Sequence, residues 1–191
     1  MARQNSGMSD YKRPRQTGST VFFTVNAVDR GSDLLIRHIA VLRDAAKRTK
    51  ADKPFPIDAW VVLPDHMHCI WTLPAGDADY SNRMGMLKAR FSRELGRSGH
   101  APTLMNNTYG AIGGRERTRT EKRHRACPDL RKNESVVWQK RFWEHHIRDE
   151  ADYLAHLQHC WHNPVKHRLA ERPEDWPYSS YHRDKAKEFA A

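Results

Sequence analysis

The chain has 191 residues, of which 38% are hydrophobic and 29% are charged, and this length suits one domain. Its formal net charge of +10 at pH 7 indicates a polyanionic partner. Nucleic acid is the expected partner, because no stretch approaches the roughly 18 apolar residues of a membrane span and no apolar segment near the start resembles a secretory signal. Three scattered cysteines without a Cys-x-x-Cys pair argue against a disulfide framework and fit a cytoplasmic protein.

The first part of the chain predicts an arm, a strand and a helix. Residues 1–17 are polar and basic, and we expect their Arg13 and Arg15 to contact DNA. Residues 20–25 are β-branched or aromatic throughout, which is typical of a strand. Asp33 is placed to cap the helix that follows, because the apolar residues from 34 to 46 recur at helical spacing.

The middle of the chain predicts a strand hairpin and a second helix. Residues 57–63 and 66–73 are apolar stretches separated by a sharp break at Pro64. The helix begins near residues 77–79, and its apolar positions are spaced by three or four. Lys88 lies on this helix and is a further candidate DNA contact.

A long basic stretch interrupts the pattern at residues 97–135. It holds nine Lys and Arg against four Asp and Glu, a net charge of +5. A packed domain seldom contains so long a segment without structure, so we predict a flexible insertion that clamps phosphates or merely solubilises the chain. Its candidate DNA contacts are Arg115, Arg117, Arg119, Lys122, Arg123 and Arg125.

Residues 136–147 predict a fourth strand in which aromatic and basic residues are interleaved. Unpaired bases stack on aromatic rings while cations meet phosphates, so Lys140 and Arg141 are candidate DNA contacts. Trp138, in contrast, is predicted to belong to the core.

Asp149 then caps the last helix, which we predict to end near His162 because Asn163 precedes a proline. Residues 176–181 form a packed segment, and 184–191 form a tail. The order of elements within residues 18–183 predicts an α+β domain with a ferredoxin-like antiparallel sheet and helices packed on it.

Two histidines open the predicted third strand. Successive side chains of a strand point to opposite faces, so His66 and His68 share a face, about 7 Å apart. They can converge on one divalent cation if a third ligand comes from elsewhere. With 12 histidines in the chain, a His-x-His pair is close to chance expectation, so its meaning depends on its surroundings.

Six blocks of sequence resemble the REP-associated tyrosine transposases. These are bacterial relatives of the smallest insertion-sequence transposases, within the single-strand nucleases named HUH after their His-hydrophobe-His pair. The blocks run in family order between about residues 19 and 183. They are residues 22–26, 59–68, 141–145, 147–149, 163–167 and 175–180.

The resemblance implies an HUH nuclease fold that binds single-stranded DNA at palindromic hairpins, then cleaves and rejoins it with Mg²⁺ or Mn²⁺. By position, His66 and His68 match the metal-binding pair, Asn163 matches the third ligand, and Lys166 of the same block is a candidate DNA contact. A tyrosine of the last helix attacks the scissile phosphate in such enzymes and leaves a 5′-phosphotyrosine. Relatives of this kind tend to act as monomers, and we expect a monomer.

One position departs from the family pattern. The tyrosine lies four residues before the asparagine, so that both face the metal, and here that position is His159. The nearest tyrosine, Tyr153, lies ten residues before Asn163, about 15 Å along a helix, and is predicted to be a packing residue.

Three interpretations of His159 remain open. The side chain attacks phosphorus itself, or it binds metal or activates water in a hydrolytic nuclease, or the chain has lost strand transfer and retains hairpin binding. The last two are favoured over the first. Residues 156, 159 and 162 are alternatively only a polar helix face, and a structural metal protein that binds RNA is a more distant alternative.

Overall fold

The computed structural model describes residues 16–97 and 137–188. In chain order the elements are β1 (Thr20–Asn26), α1 (Leu34–Arg37), α2 (Ile39–Asp52), β2 (Ile57–Val62), β3 (His66–Thr72), α3 (Tyr80–Arg97), β4 (Trp143–His146), α4 (Glu150–Lys166), a 3-10 turn (Pro173–Asp175) and α5 (Tyr181–Glu188). No helix within those two ranges is long and apolar enough to cross a membrane.

Several predicted features lie outside the described residues. They include most of the basic arm and of the insertion at 97–135, and with them the candidate DNA contacts Arg13, Arg15, Arg115, Arg117, Arg119, Lys122, Arg123 and Arg125. The segment 184–191, predicted as a tail, begins inside α5.

The four strands form one antiparallel sheet in the order β2-β3-β1-β4. The hairpin partners β2 and β3 are adjacent, and β1 lies between β3 and β4, which is the strand order of a ferredoxin-like sheet. The predicted α+β fold class is therefore confirmed. Along the β1–β3 ladder, Thr24 is paired with His68 and Asn26 with His66.

The two faces of the sheet bury two separate hydrophobic clusters. Val21, Phe23 and Val25 of β1 pack with residues of α2 and α3, whereas Phe22 packs with Cys160 of α4. Because side chains alternate along a strand, residues 67, 69 and 71 of β3 join the first cluster and residue 70 joins the second. The same alternation places both histidines of β3 on the face that α4 covers.

The outer edge of β2 is covered by the segment that the sequence predicted to be packed. The backbone of Val62 donates to the carbonyl of Tyr178 at 2.9 Å, and Ser180 donates to the carbonyl of Trp60 at 2.7 Å. The indole of Trp176 also donates to the carbonyl of Val62 at 2.9 Å. Residues 176–181 thus satisfy backbone groups that an edge strand would otherwise leave open.

The fourth strand is shorter than predicted. Only Trp143–His146 pairs with β1, while Trp138 forms an isolated bridge with Ala27 beyond the end of β1. The exposed basic residues Lys140 and Arg141 lie between these two pairings, where the chain leaves the sheet. Trp138 is 6% exposed, which confirms its assignment to the core.

Asp33 occupies the predicted cap position at the start of α1, but its side chain does not cap the helix. Its carboxylate makes an ion pair with Arg37 at 2.6 Å and forms no capping hydrogen bond, and the helix is divided at His38 into α1 and α2. The cap at Asp149 is as predicted, because its carboxylate accepts the backbone N–H of Asp152 at 2.8 Å. An Asp at this position satisfies one of the open donors of the first turn.

The predicted end of the last helix at His162 is wrong, because α4 continues to Lys166 with Pro164 inside it. Proline removes one backbone hydrogen bond, but a closing motif completes the final turn. Leu169 N–H donates to the carbonyl of Pro164 and Arg168 N–H to that of Val165, both at 2.9 Å. Arg168 takes a left-handed φ of 57°, as in a Schellman motif.

Replacing Arg168 with Gly should stabilise the protein. The left-handed conformation strains a side chain but not glycine, so we expect the free energy of unfolding to rise by about 0.5–1 kcal/mol in urea denaturation. Lys166→Gly is the matched control, because glycine in the last helical turn should lower stability by about 0.5–1 kcal/mol. A loss of stability in both variants would contradict the left-handed assignment.

Candidate active site

The two histidines of β3 are oriented by hydrogen bonds to their Nδ1 atoms. His66 Nδ1 lies 2.6 Å from Asp65 Oδ1, and His68 Nδ1 lies 2.9 Å from Thr24 Oγ1. Asp65 is itself held by Arg30 at 3.1 Å and by the N–H of Gly31 at 2.9 Å. Metal-binding histidines usually have such a partner on one nitrogen, which fixes the tautomer and leaves the other nitrogen for the ion.

Both imidazoles are neutral near pH 7. His66 and His68 are 5% and 6% exposed, and this burial lowers the pKa of His66 and lowers that of His68 to about 3. The hydrogen bond to Asp65 opposes the shift at His66. A neutral ring is the form that binds a cation, so protons do not compete for the pair at physiological pH.

Asn163 of α4 supplies a buried oxygen on the same side of the sheet. The residue is 3% exposed, and its Nδ2 lies 3.0 Å from His159 Nε2. Its Oδ1 is buried and has no hydrogen-bond partner among the described residues. An unpaired buried acceptor is costly, and a cation with oxygen ligands would remove that cost.

These donors fit the predicted metal site. Two imidazole nitrogens and one amide oxygen, with water completing the shell, are atoms that bind divalent cations. The residues His66, His68 and Asn163 would hold the ion, which would stabilise negative charge on a phosphate beside it.

His159 faces this pair from the exposed surface of α4. Its ring is perpendicular to that of His68, with 4.8 Å between centroids, and its edge contacts Phe22 at 5.6 Å. Partial burial and the charge of Lys166 lower the pKa of His159. The Nε2 atom accepts a hydrogen bond from Asn163 Nδ2, so Nδ1 carries the proton of the neutral ring.

His167, the residue directly after α4, also reaches the site, although no role was predicted for it from the sequence. The ring of His167 lies 5.2 Å from that of His66. Residues 159, 163 and 167 recur every four positions, and this spacing on one helix face was the available signal. Of the alternative row at 156, 159 and 162, His162 is exposed and its Nδ1 lies 3.1 Å from the carbonyl of Gln158, as expected for a polar helix face.

Tyr153 lies on a different stripe of α4. With Leu157 and Trp161 it packs against the cluster that contains Val61. Burial, and secondarily the charge of Asp58, raise the pKa of its hydroxyl. The side chain has the character of the packing residue that the sequence predicted.

A second group of titratable side chains joins β4 to α4. His145 Nε2 lies 2.8 Å from Asp152 Oδ2, and His156 Nδ1 lies 3.1 Å from Asp152 Oδ1. Arg148 Nε is 3.0 Å from the same carboxylate, and hydrogen bonding, chiefly from His145, holds the pKa of Asp152 well below its usual range. One candidate ligand atom from each of His145, Asp152 and His156 lies within 4.8 Å of the other two, as in a metal site.

The ring planes of this group argue against a shared ion. His145 and His156 are stacked with 4.6 Å between centroids and 15° between planes. An imidazole lone pair lies in the plane of its ring, so two stacked rings cannot both direct a lone pair at one ion without turning. We therefore interpret the group as a hydrogen-bonded network that fixes the edge strand to the helix.

The described candidate DNA contacts are not all at the site. Lys88 donates to the carbonyl of Gln139 at 2.7 Å and belongs to α3, which packs on the opposite face of the sheet. Lys140 and Arg141 are exposed beside β4. Lys166 is exposed at the end of α4, and its charge lowers the pKa of both His68 and His159.

Comparison with known proteins identifies the family, although no family model matches the chain. A REP-associated tyrosine transposase of Escherichia coli K12 is 41% identical over 180 residues, covering 94% of this chain and 87% of that protein. The chain belongs to the REP-associated tyrosine transposase family. A relative of the same description from Haemophilus influenzae is 37% identical over 182 residues, covering 93% of this chain and 88% of its own.

A solved structure of a REP-associated tyrosine transposase bound to a REP hairpin is similar to this chain with a TM-score of 0.73 and 40% identity. The similarity covers 95% of this chain and 87% of that one. The family resemblance drawn from the sequence blocks is confirmed, and a transposase of the HUH type suggests a divalent metal. The candidate metal ligands His66, His68 and Asn163 lie on the α4 face of this fold.

Removing a ligand from the proposed metal centre should weaken Mn²⁺ binding. We expect His68→Ala and Asn163→Ala to lower the affinity measured by calorimetry or electron paramagnetic resonance at least tenfold. Thr24→Val, which removes only the partner of His68, should cost about 10- to 100-fold. His145→Ala is the matched control and should bind Mn²⁺ as the wild type does. Loss of Mn²⁺ binding in His145→Ala but not in the other variants would show that the stacked pair of His145 and His156 holds the ion.

The buried histidines should make the metal-free protein less stable as the pH falls. The unfolded chain protonates His68 near the ordinary pKa of 6.5, whereas the folded chain keeps it neutral to about pH 3. The unfolded state therefore binds more protons below pH 6.5, and His68 should lower the free energy of unfolding by about 1 kcal/mol per pH unit between pH 6 and 4.

Urea denaturation in a chelator at several pH values measures this slope. His68→Gln, which stays neutral, should flatten it by roughly that amount. His162→Gln, at an exposed position of α4, should leave the slope unchanged. Equal slopes in wild type and His68→Gln would show that His68 is not held neutral by burial.

Proposed function

We propose that this protein binds hairpin-forming single-stranded DNA at the α4 face of the sheet and holds Mg²⁺ or Mn²⁺ there, without forming a covalent tyrosine intermediate. The observation that supports this proposal is the position of His159. It contacts His68 and Asn163 where the family places its tyrosine, and Tyr153 lies on another stripe of the helix.

The binding half of the site needs no nucleophile. The metal ligands come from β3 and α4, and Lys166 and Arg141 present exposed positive charge. Phosphate contacts of this kind supply affinity that falls with salt, whatever happens at the scissile bond. We extend the proposal to the basic arm at 1–17 and the insertion at 97–135 as further phosphate contacts, and to a cytoplasmic protein.

The nucleophilic half differs in chemistry. A tyrosine hydroxyl attacks phosphorus and leaves a stable covalent ester, whereas His159 Nε2 already accepts a hydrogen bond from Asn163. A second candidate function is metal-dependent hydrolysis, in which His159 would accept a proton from water once its Nε2 is released from Asn163. The lowered pKa of His159 is compatible with this role, because it keeps the ring neutral near pH 7. We also propose a monomer as the acting unit, as the sequence resemblance implies.

Incubation with a labelled hairpin oligonucleotide and Mn²⁺ should give no covalent protein–DNA band on a denaturing gel. His159→Tyr should produce such a band, because it returns a hydroxyl beside the metal ligands. Tyr153→Phe in the His159→Tyr background is the control and should leave the band intact. A covalent band from the wild type would refute the proposal.

The same reactions distinguish binding from hydrolysis. Free cleavage fragments from the wild type that disappear in His159→Ala would establish the hydrolytic alternative. Hairpin binding without fragments would support a binding protein. Failure of the wild type to bind any hairpin in a gel shift would overturn both.

A further inference from the structure

An exposed tryptophan lies on the edge strand at the α4 face of the sheet. Trp143 is 55% exposed, more than any other large hydrophobic residue that the structure describes. It belongs to β4, which pairs with β1 on one side only within the described residues. A large aromatic surface open to water at such a place is unfavourable for folding and is typical of a contact site.

The indole is oriented by a stack of rings that leads back to the metal histidines. Trp143 is parallel to His145, with 5° between planes and 6.0 Å between centroids. His145 stacks on His156, and His156 contacts Phe22 at 4.7 Å. Phe22 in turn stacks on His68 at 5.5 Å and 17°. One array of rings thus joins the surface of the edge strand to the metal-binding pair.

Asp152 holds the middle of this array in place. Its carboxylate bonds to His145, and its backbone carbonyl lies 2.8 Å from His156 Nδ1, which is also 3.1 Å from the carboxylate; the side chain of Asp152 is 7% exposed. The indole therefore rests on a ring that is fixed by hydrogen bonds rather than on mobile side chains. A surface held in this way loses little conformational entropy when a flat partner stacks on it.

Two exposed arginines lie close to Trp143 in the sequence, and their positive charge suits a partner that carries phosphates. Arg141 is exposed two residues before it, and the side chain of Arg148 is 74% exposed five residues after it. Aromatic rings flanked by cations recognise single-stranded nucleic acid, because bases stack while phosphates pair with the cations. A base inside a duplex could not stack on the indole face, since both of its own faces are covered by neighbouring base pairs.

We propose that Trp143 is the stacking platform for one unpaired base of the DNA strand that passes the metal site, and that His145, His156 and Asp152 position it. This inference rests on the proposed function and adds the place where the single-stranded flank of the hairpin is held. Stacking of this kind does not distinguish bases by hydrogen bonds, so the platform should favour unpaired over paired DNA without strict sequence preference.

Binding of a hairpin with a single-stranded flank, compared with the same hairpin without the flank, tests the platform. Trp143→Ala should weaken binding of the flanked hairpin by about 5- to 150-fold and leave the blunt hairpin unchanged. Trp143→Phe should retain most of the affinity. Leu154→Ala is the matched control, since Leu154 is a 46% exposed apolar residue of α4 outside the array.

Abasic substitutions identify the base. In the wild type, one abasic position in the flank should cost about as much affinity as Trp143→Ala. The same abasic oligonucleotide should cost nothing further in Trp143→Ala, because both changes remove one stack. Additive losses at every flank position would overturn the platform, as would a Trp143→Ala variant that binds the flanked hairpin like the wild type.

These outcomes are separate from those of the proposed function. If the wild type binds no hairpin, the proposed function fails first. If the wild type binds and the Trp143→Ala variant binds the flanked hairpin equally well, the proposed function stands and this inference is wrong. A change of oligomeric state in Trp143→Ala, measured by sedimentation without DNA, would instead assign the indole to an interface between copies of this chain.

Discussion

Two imidazoles are buried on a β-strand, and the rest of the site follows from the cost of placing them there. A buried polar ring is tolerated only when its nitrogens have partners. Asp65 and Thr24 satisfy one nitrogen of each ring, and burial keeps both rings neutral. The remaining nitrogens face the side of the sheet where α4 brings a buried amide oxygen that has no hydrogen-bond partner in the described part of the chain. The proposed cation site thus depends on the restricted orientation of each ring.

The second constraint is the length of α4. A helix that ended at His162 would leave Asn163 outside the regular turn and His167 away from His66. The left-handed closure at Arg168 lets the helix continue past Pro164, so that residues 159, 163 and 167 share one face. Strain at one exposed residue therefore supports the register of three side chains at the site.

The order of strands and helices could be predicted because hydrophobic periodicity is strong in β1, β3 and α3. Boundaries could not, because they depend on tertiary contacts. Asp33 is a residue type that often caps helices, but its carboxylate pairs with Arg37 instead. The Asn-Pro pair at 163 predicts a helix end, but the hydrogen bonds that close the helix lie several residues later. The strand predicted over 136–147 was too long for a similar reason. Local β-propensity does not show where the partner strand β1 ends, and pairing stops there.

The candidate site was predictable to the extent that it lies in local motifs. His66 and His68 follow from strand alternation, and the third ligand followed from the family resemblance. The roles of Thr24 and His167 depend on cross-strand register and on the path of a helix, which no local pattern contains. Lys88 shows another dependence on tertiary structure, because its ammonium donates to the backbone carbonyl of Gln139, which a basic residue on a predicted helix surface does not reveal, and its DNA contact stays a prediction.

The architecture also explains how one position can change without loss of the others. His66, His68 and Asn163 are buried, so substitution there would disturb packing and leave polar groups unpaired. His159 is exposed on the outer part of α4, where its ring contacts Phe22 and His68 and its Nε2 accepts a hydrogen bond from Asn163 Nδ2. Position 159 is thus less strongly coupled to stability than the three buried residues are. Chemistry at position 159 can therefore vary on a fold that retains His66, His68 and Asn163.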